Sequence, residues 1–397
     1  MATTSSRSSR AARPGFYRTF LLPTGLLTGE IIGAGMFALP FVFARVGFAL
    51  GLLTLAAAAI AYTVIYLLYA DILVRTNAEH RFVGYLRQFF SSRVAPLGIA
   101  MTVITMAFVM GIFLVLVESF VHLVAPAAPL LAGPLMFWAV SCVLIFSPIK
   151  RLKVLELLVV FGMLLIIAAV FIFGLSHGEA ANLASQPTGD SASPLPLGVI
   201  LFALAGRAAL PTMVEHFMGL RTAAKQKKLR RSIIAGTLVP AAVYVLFTIG
   251  VLALSFPVTE DAVSGLAQNL PLFPVAALGI LGLLSLLSTY LIIGVNVKDI
   301  LTRDMDVSRV EKVLVVVLAP LAVYALSSAN FVSLVSFAGG VFLALEGLII
   351  IAMWKRANSI LTRRPVLFTA KHKLLIAMAA FVFALALVSE FVRVFFT

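Results

Sequence analysis

Apolar runs of about 20 residues, divided by short polar stretches, recur along the whole chain, and each is long enough to cross the roughly 30 Å hydrocarbon core of a bilayer as a helix. They predict eleven spans, at 18–43, 47–74, 94–124, 133–148, 154–175, 194–219, 232–254, 271–297, 310–328, 330–353 and 374–394. The predicted class is an all-α integral membrane protein. Between spans 2 and 3, the run Arg81-Phe82-Val83-Gly84-Tyr85-Leu86-Arg87-Gln88-Phe89-Phe90 alternates basic and aromatic residues and predicts a short helix lying in the membrane surface. Residues 1–17, rich in Ser, Thr, Ala and Arg, read as a disordered tail. A polar linker at 176–193 divides five spans from the six that follow.

Composition fits this reading. Hydrophobic residues make up 62% of the chain and charged residues 12%, which leaves no soluble domain. Of the 30 Lys and Arg, all but Arg45, Arg207 and Arg393 fall on one side of the predicted topology. The positive-inside rule makes that side cytoplasmic. The N-terminus is then cytoplasmic, the C-terminus external, and the chain a multi-pass protein of the cell inner or plasma membrane. No cleavable leader is evident, so the first span is expected to stay as an anchor. The net charge of +14 is dispersed over short loops; it sets orientation and attracts anionic lipid, and calls for no nucleic-acid partner. The single cysteine, Cys142, excludes an internal disulfide and reads as a packing residue.

Two spans break the apolar pattern. Span 1 carries Gly25, Gly29, Gly33 and Gly35, with Glu30 and Pro40. Backbone can leave the helix at membrane depth only where protein or a water-filled cavity satisfies the freed groups. Gly33-Ala34-Gly35 is the predicted break. Span 6 has Phe202-Ala203-Leu204-Ala205-Gly206-Arg207, followed by Pro211. Both spans open a half of five, and the odd number inverts the second half relative to the first. Paired interrupted helices in such positions point to a binding site at the midplane.

The stretch Gly29-Glu30-Ile31-Ile32-Gly33-Ala34-Gly35-Met36-Phe37-Ala38-Leu39-Pro40, followed by Gly47, resembles the first-helix signature of permeases in the amino acid–polyamine–organocation superfamily. The nearest branches are the hydroxy/aromatic amino acid permeases and the amino acid/auxin permeases. Ala209-Leu210-Pro211-Thr212-Met213-Val214-Glu215 is a second similarity. The lysine-rich stretch running through Lys228 into Ile234-Ala235-Gly236-Thr237-Leu238-Val239-Pro240, with Tyr244 and Gly250, extends it. The resemblance implies a five-plus-five inverted repeat, 18–175 and 194–353, with discontinuous helices 1 and 6 and an extra helix at 374–394. It implies that Gly33, Ala34 and Gly35 offer backbone groups to a substrate carboxylate. Ala203, Ala205 and Gly206 would offer carbonyls to the substrate amine. Arg207 departs from the pattern.

Ionisable groups within spans default to functional candidates. Glu30 and Arg207 lie at similar depth, and a pair between them would bridge the two breaks, either as a responsive link or as a fixed one. Glu215, beside His216, is a candidate proton carrier or an inner-gate partner for a cytoplasmic arginine. Glu118, one turn from His122, suits a proton relay or interface solvation. Glu346 lies deep in span 10 with no evident partner. In span 8, Ser285, Ser288 and Thr289 suit a sodium site of the kind the resemblance implies, or simply bond their own helix. Span 5 has no lysine in the place where some proton-coupled relatives carry one. The expected function is secondary active transport of a small amino acid by alternating access, coupled to H⁺ or Na⁺, with no cofactor. An amino-acid receptor on the same fold is the alternative. No hydrolase, phosphate-loop or zinc pattern supports an enzyme.

Overall fold

The computed structural model describes residues 16–147, 152–184, 196–217, 223–255, 257–267, 270–303, 305, 307–326, 330–368 and 372–396. Among these residues all regular structure is helical: α1 (Leu22–Ile31), α2 (Leu39–Val46), α3 (Phe48–Arg75), α4 (Phe82–Phe89), α5 (Ala95–Val124), α6 (Ala132–Phe146), α7 (Leu152–His177), α8 (Leu197–Ala203), α9 (Ala209–Phe217), α10 (Ala223–Leu254), α11 (Val263–Leu266), α12 (Leu272–Arg303), α13 (Arg309–Val313), α14 (Ala319–Leu326), α15 (Phe331–Phe337), α16 (Ala344–Ile360) and α17 (Lys373–Phe396). Seven helical stretches are long and apolar enough to cross a membrane, and an eighth crossing is a bent pair, Thr19–Ile31 with Ala34–Val46, turned by 52°. The shorter α6 and the segmented spans 6 and 9 occupy the remaining predicted positions. The tail expected to be disordered lies, up to residue 15, outside the described residues, as does 185–195 of the linker; Phe16 and Tyr17 are already helical.

Several helices run beyond their apolar cores. The Lys- and Arg-rich stretch expected as a loop before span 7 forms the first turns of α10. Likewise α12 continues through Lys298 to Arg303, and α16 through Lys355 and Arg356 to Ile360. Lys and Arg favour helix, and nothing in these stretches breaks it, so the helix outlasts the hydrophobic run. The predicted surface helix is α4, whose Phe82, Val83, Tyr85, Leu86 and Phe89 are buried while Arg87 and Gln88 are exposed.

Spans 9 and 10 contain wider, π-type turns that the hydrophobic pattern does not mark. In span 9 the turn covers Leu314–Leu318, immediately before Pro320. A proline lacks an N–H and crowds the carbonyl four residues back, which displaces the local ladder. Trp138 of α6 donates its indole N–H to the Val317 carbonyl there, at 2.9 Å. In span 10 the turn is Ala338–Leu343. It packs on α8, where the Gly339 backbone comes close enough to Gly198 and Phe202 that a side chain at 339 would collide with both.

Large rings fill the centre. Phe37, just after the break in span 1, meets Phe120 of α5 edge-on at 5.0 Å and Phe247 of α10 at 5.7 Å. Spans 5 and 7 approach backbone to backbone, since a Cβ on Gly174 would lie 2.7 Å from the Gly250 carbonyl oxygen. Small residues allow such packing where lipid supplies no hydrophobic drive between helices.

A buried ionic cluster pins the segment between spans 10 and 11. Asp71 of α3 is fully buried. Its Oδ1 accepts the N–H groups of Val366 and Leu367 at 2.7 and 2.9 Å, and its Oδ2 accepts the Trp354 indole N–H at 3.0 Å. Arg75, one turn along, pairs with Asp71 at 3.4 Å and donates to the carbonyls of Arg363 and Ala357 and to Asn358. Near the other end of span 11, Glu390 pairs with Arg393 and accepts from Ser336 at 2.7 Å, tying α17 to α15. Removing one member of a buried pair strands the other. Replacing Asp71 by Ala should therefore cost about 3 kcal/mol, read as a lowered thermal midpoint of the detergent-solubilised protein. The double replacement of Asp71 and Arg75 by Ala should cost less than the two single changes added together.

Candidate functional site

The helix of span 1 ends at Ile31. Ile32 takes an extended conformation (ψ 95°), Gly33 is extended too, and one short 3-10 segment, Ala34–Ala38, leads into α2. Span 6 opens from Leu204 to Ala208 between α8 and α9. The two breaks touch. A Cβ on Gly35 would lie 2.5 Å from the Ala203 Cα and 2.9 Å from its nitrogen, and one on Gly206 would collide with Ile31. Glycine is thus required at both crossings for reasons of space.

Three tyrosines satisfy backbone groups that the breaks set free. Tyr62 and Tyr66 stand one turn apart on α3. Tyr62 donates to the Leu201 carbonyl at 2.7 Å. Tyr66 donates to the Leu204 carbonyl at 2.7 Å and accepts the Gly206 N–H at 2.5 Å. From α10, the Tyr244 hydroxyl lies 2.5 Å from the Ile31 carbonyl oxygen and 2.8 Å from that of Ala203, so it ties the two breaks together. All three are buried. Sequence reasoning includes Tyr244 only within the resemblance and misses Tyr62 and Tyr66. The available signal is their i, i+4 spacing on one face of an otherwise apolar helix.

Among the predicted backbone donors and acceptors, Ala34 and Gly35 are buried and Gly33 is partly open. The Gly33 carbonyl accepts the Met36 N–H at 3.3 Å. The Ala203 carbonyl is engaged by Tyr244, the Ala205 N–H donates to the Phe202 carbonyl at 3.2 Å, and the Gly206 carbonyl accepts from Ala209 at 3.4 Å.

The charges sort differently from the expected pairing. Arg207 pairs with Glu346 of α16, Nε to Oε1 at 2.6 Å, with side-chain exposures of 13% and 12%. Its guanidinium also stacks on the Phe82 ring of α4, 4.0 Å from the centroid. Glu30 is half-buried and engaged in another contact. Similar depth does not determine the partner of Arg207, because depth says nothing about which side of the helix faces which neighbour. Glu215, exposed on α9, faces Arg81 at 3.5 Å. Glu118 accepts from Tyr324 of α14 at 3.3 Å, while His122 is exposed.

In α12, Ser285 and Ser288 are buried, and Thr289 donates to the Ser285 carbonyl at 3.1 Å, the backbone-bonding alternative. This helix packs chiefly on α5, α7 and α6. No group of three or more His, Cys, Asp or Glu suited to a metal ion occurs among the described residues. On the opposite loops, burial raises the Glu260 carboxyl above its ordinary range; the Val332 N–H and the charge of Arg45 pull against that rise.

The two glycines of the first break should respond differently to a methyl group. Gly35→Ala drives its Cβ into the backbone of span 6 and should cost about 1–3 kcal/mol or more. Gly33→Ala meets only the Ile31 carbonyl oxygen, at 4.0 Å, and should be tolerated. Thermal midpoints and size-exclusion profiles of the two variants in detergent check the contrast.

Comparison with solved structures places this architecture. The chain is similar to the manganese transporter of Eremococcus coleocola in complex with an aromatic bis-isothiourea substituted compound: 13% identity, TM-score 0.67, covering 96% of this chain and 88% of that one. It is also similar to Mhp1, a nucleobase-cation-symport-1 family transporter, closed with bromovinylhydantoin bound: 13% identity, TM-score 0.59, covering 94% and 90%. The inward-facing form of Mhp1 gives 14% identity with the same TM-score, covering 94% and 89%. These likenesses establish the fold, which the chain shares with both transporters. No curated protein matches the chain. The model of the tryptophan/tyrosine permease family matches residues 18–389. The chain, an integral membrane transporter and not an enzyme, belongs to the tryptophan/tyrosine permease family.

Proposed function

We propose that the chain is a secondary active transporter of aromatic amino acids, in the hydroxy/aromatic branch of the superfamily, working by alternating access and symport with protons. One observation carries the reading: two interrupted spans meet at Gly35–Ala203 and Ile31–Gly206, and the break between them is held open by tyrosines from other spans. Such an arrangement sets non-helical backbone at membrane depth with protein around it, the setting in which transporters with interrupted spans hold a substrate headgroup. The family name supplies the aromatic class.

Proton coupling is supported by the Arg207–Glu346 pair, which joins the second break to span 10 and is not sealed from solvent. A proton on Glu346 weakens its hold on Arg207 and frees span 6 to move against span 10. The Arg81–Glu215 pair is the inner gate in this reading. Spans 1–5 and 6–10 act as inverted halves, span 11 braces span 10, and the N-terminus lies in the cytoplasm.

Uptake of labelled L-tryptophan into proteoliposomes tests the reading. Accumulation should require an inward proton gradient and be indifferent to sodium. Glu346→Gln should lose proton-driven accumulation by about tenfold or more while exchange of internal for external substrate falls by less, a pattern tied to transition between states more than to binding. Sodium-driven accumulation would reassign the ion to the span 8 hydroxyls. Saturable binding without accumulation would favour a receptor.

A further inference from the structure

Tyr69 continues the row formed by Tyr62 and Tyr66, one turn further along α3. The first two hydroxyls are used by the opened backbone of span 6. The third is not: the Tyr69 hydroxyl is fully buried and has no hydrogen-bond partner among the described residues. Its ring packs edge-on against Phe82 at 5.9 Å and Tyr85 at 6.3 Å. Phe82 is also the ring on which Arg207 stacks. Tyr69 and Arg207 therefore pack against the same ring, that of Phe82.

The ion pair itself is half-used. Arg207 bonds Glu346 through Nε alone, and among the described residues neither its two Nη groups nor Glu346 Oε2 makes a further hydrogen bond. A buried hydroxyl without a partner is costly, whereas the Arg207 Nη groups and Glu346 Oε2 stay accessible to solvent or to a ligand. The cluster presents unused donors on one side, Arg207 Nη and the Tyr69 hydroxyl, and an unused carboxylate oxygen on the other. Its complement is a neutral species with a carboxylate at one end and an ammonium close by.

We infer that Tyr69, Arg207 and Glu346 form a second headgroup subsite for a zwitterionic amino acid, directly beyond the break at Gly206. The carboxylate takes hydrogen bonds from Arg207 Nη and the Tyr69 hydroxyl, and the ammonium meets Glu346 Oε2. The Nε–Oε1 link need not open, so a net-neutral ligand enters a net-neutral site. Phe82 lies against both Arg207 and Tyr69, and Tyr85 packs on Tyr69 from another side. This inference rests on the transport reading above, and deepens it by giving the substrate a second station after the breaks.

The test compares Tyr69→Phe with the wild type, reading displacement of labelled L-tryptophan from purified protein by L-tryptophan, its methyl ester and tryptamine. In the wild type, the two analogues that lack the carboxylate charge should compete at least about tenfold more weakly than tryptophan, the scale of one charge-assisted hydrogen bond. In Tyr69→Phe the tryptophan affinity should fall by several-fold, the analogues should compete as before, and the gap should narrow by that factor, the remainder reflecting Arg207 and the headgroup contacts at the breaks. Tyr66→Phe is the control: it uncovers backbone in span 6 and should weaken all three ligands together. A gap that is absent from the wild type, or that is unchanged in Tyr69→Phe, overturns the subsite while leaving transport intact. Wild-type protein that neither binds nor carries tryptophan overturns the functional reading instead.

Discussion

Peptide groups released from a helix inside a bilayer have no water to turn to, and this constraint governs the centre of the molecule. Two spans stop being helical near their middles, and the freed carbonyls and amides must be met by protein. Phenols from α3 and α10 meet them. Phenol suits this role because its body is apolar enough to pack among leucines, while its tip both donates and accepts. The rest of the core follows from holding those phenols still. Phe37, Phe120 and Phe247 lock the region after the first break, and glycines at 35 and 206 let the two opened strands of backbone lie against each other.

Ion pairs solve a related problem at three other places. Arg207 with Glu346, Asp71 with Arg75, and Glu390 with Arg393 are all withdrawn from solvent to some degree. Desolvating such groups costs more than their mutual attraction returns unless further hydrogen bonds fill in. Asp71 and Arg75 have that support in full, from the Trp354 indole, two amides and two carbonyls, which marks the cluster as architectural. Glu390 has Ser336 as well as Arg393. The Arg207 pair has one hydrogen bond and an aromatic ring. Of the three pairs it has the least hydrogen-bond support among the described residues.

How much of this is legible in the chain depends on whether the signal is local. Span positions, a short helix at Phe82–Phe89 and the break at Gly33 follow from composition along the chain, and the structure has them close to where the pattern puts them. The break in span 6 also follows, from small residues ahead of Pro211. Helix ends depart from the apolar pattern where charged residues prolong the helix past its core, as at Lys225–Arg231. The π-type turn in span 10 has no marker but a pair of glycines. Pairings are the least legible. Arg207 reaches Glu346 across 139 positions and Tyr62 reaches Leu201 across the same distance, and nothing in the chain near either end names the other. Asp71 gives no sign of its role, because a single acid near a span end reads as an interface residue.

One hydroxyl at the junction of spans 1, 6 and 7 carries a consequence for motion. Tyr244 lies within bonding distance of two carbonyl oxygens but owns a single hydrogen. At any instant it can serve Ile31 or Ala203 fully, or both weakly, and a small relative shift of the two spans decides which. A rigid clamp would oppose such sliding; a shared hydrogen levels it, since what one carbonyl loses the other gains. Were the rods on either side to change their angle, the junction would act as a slip bearing, keeping both oxygens attended.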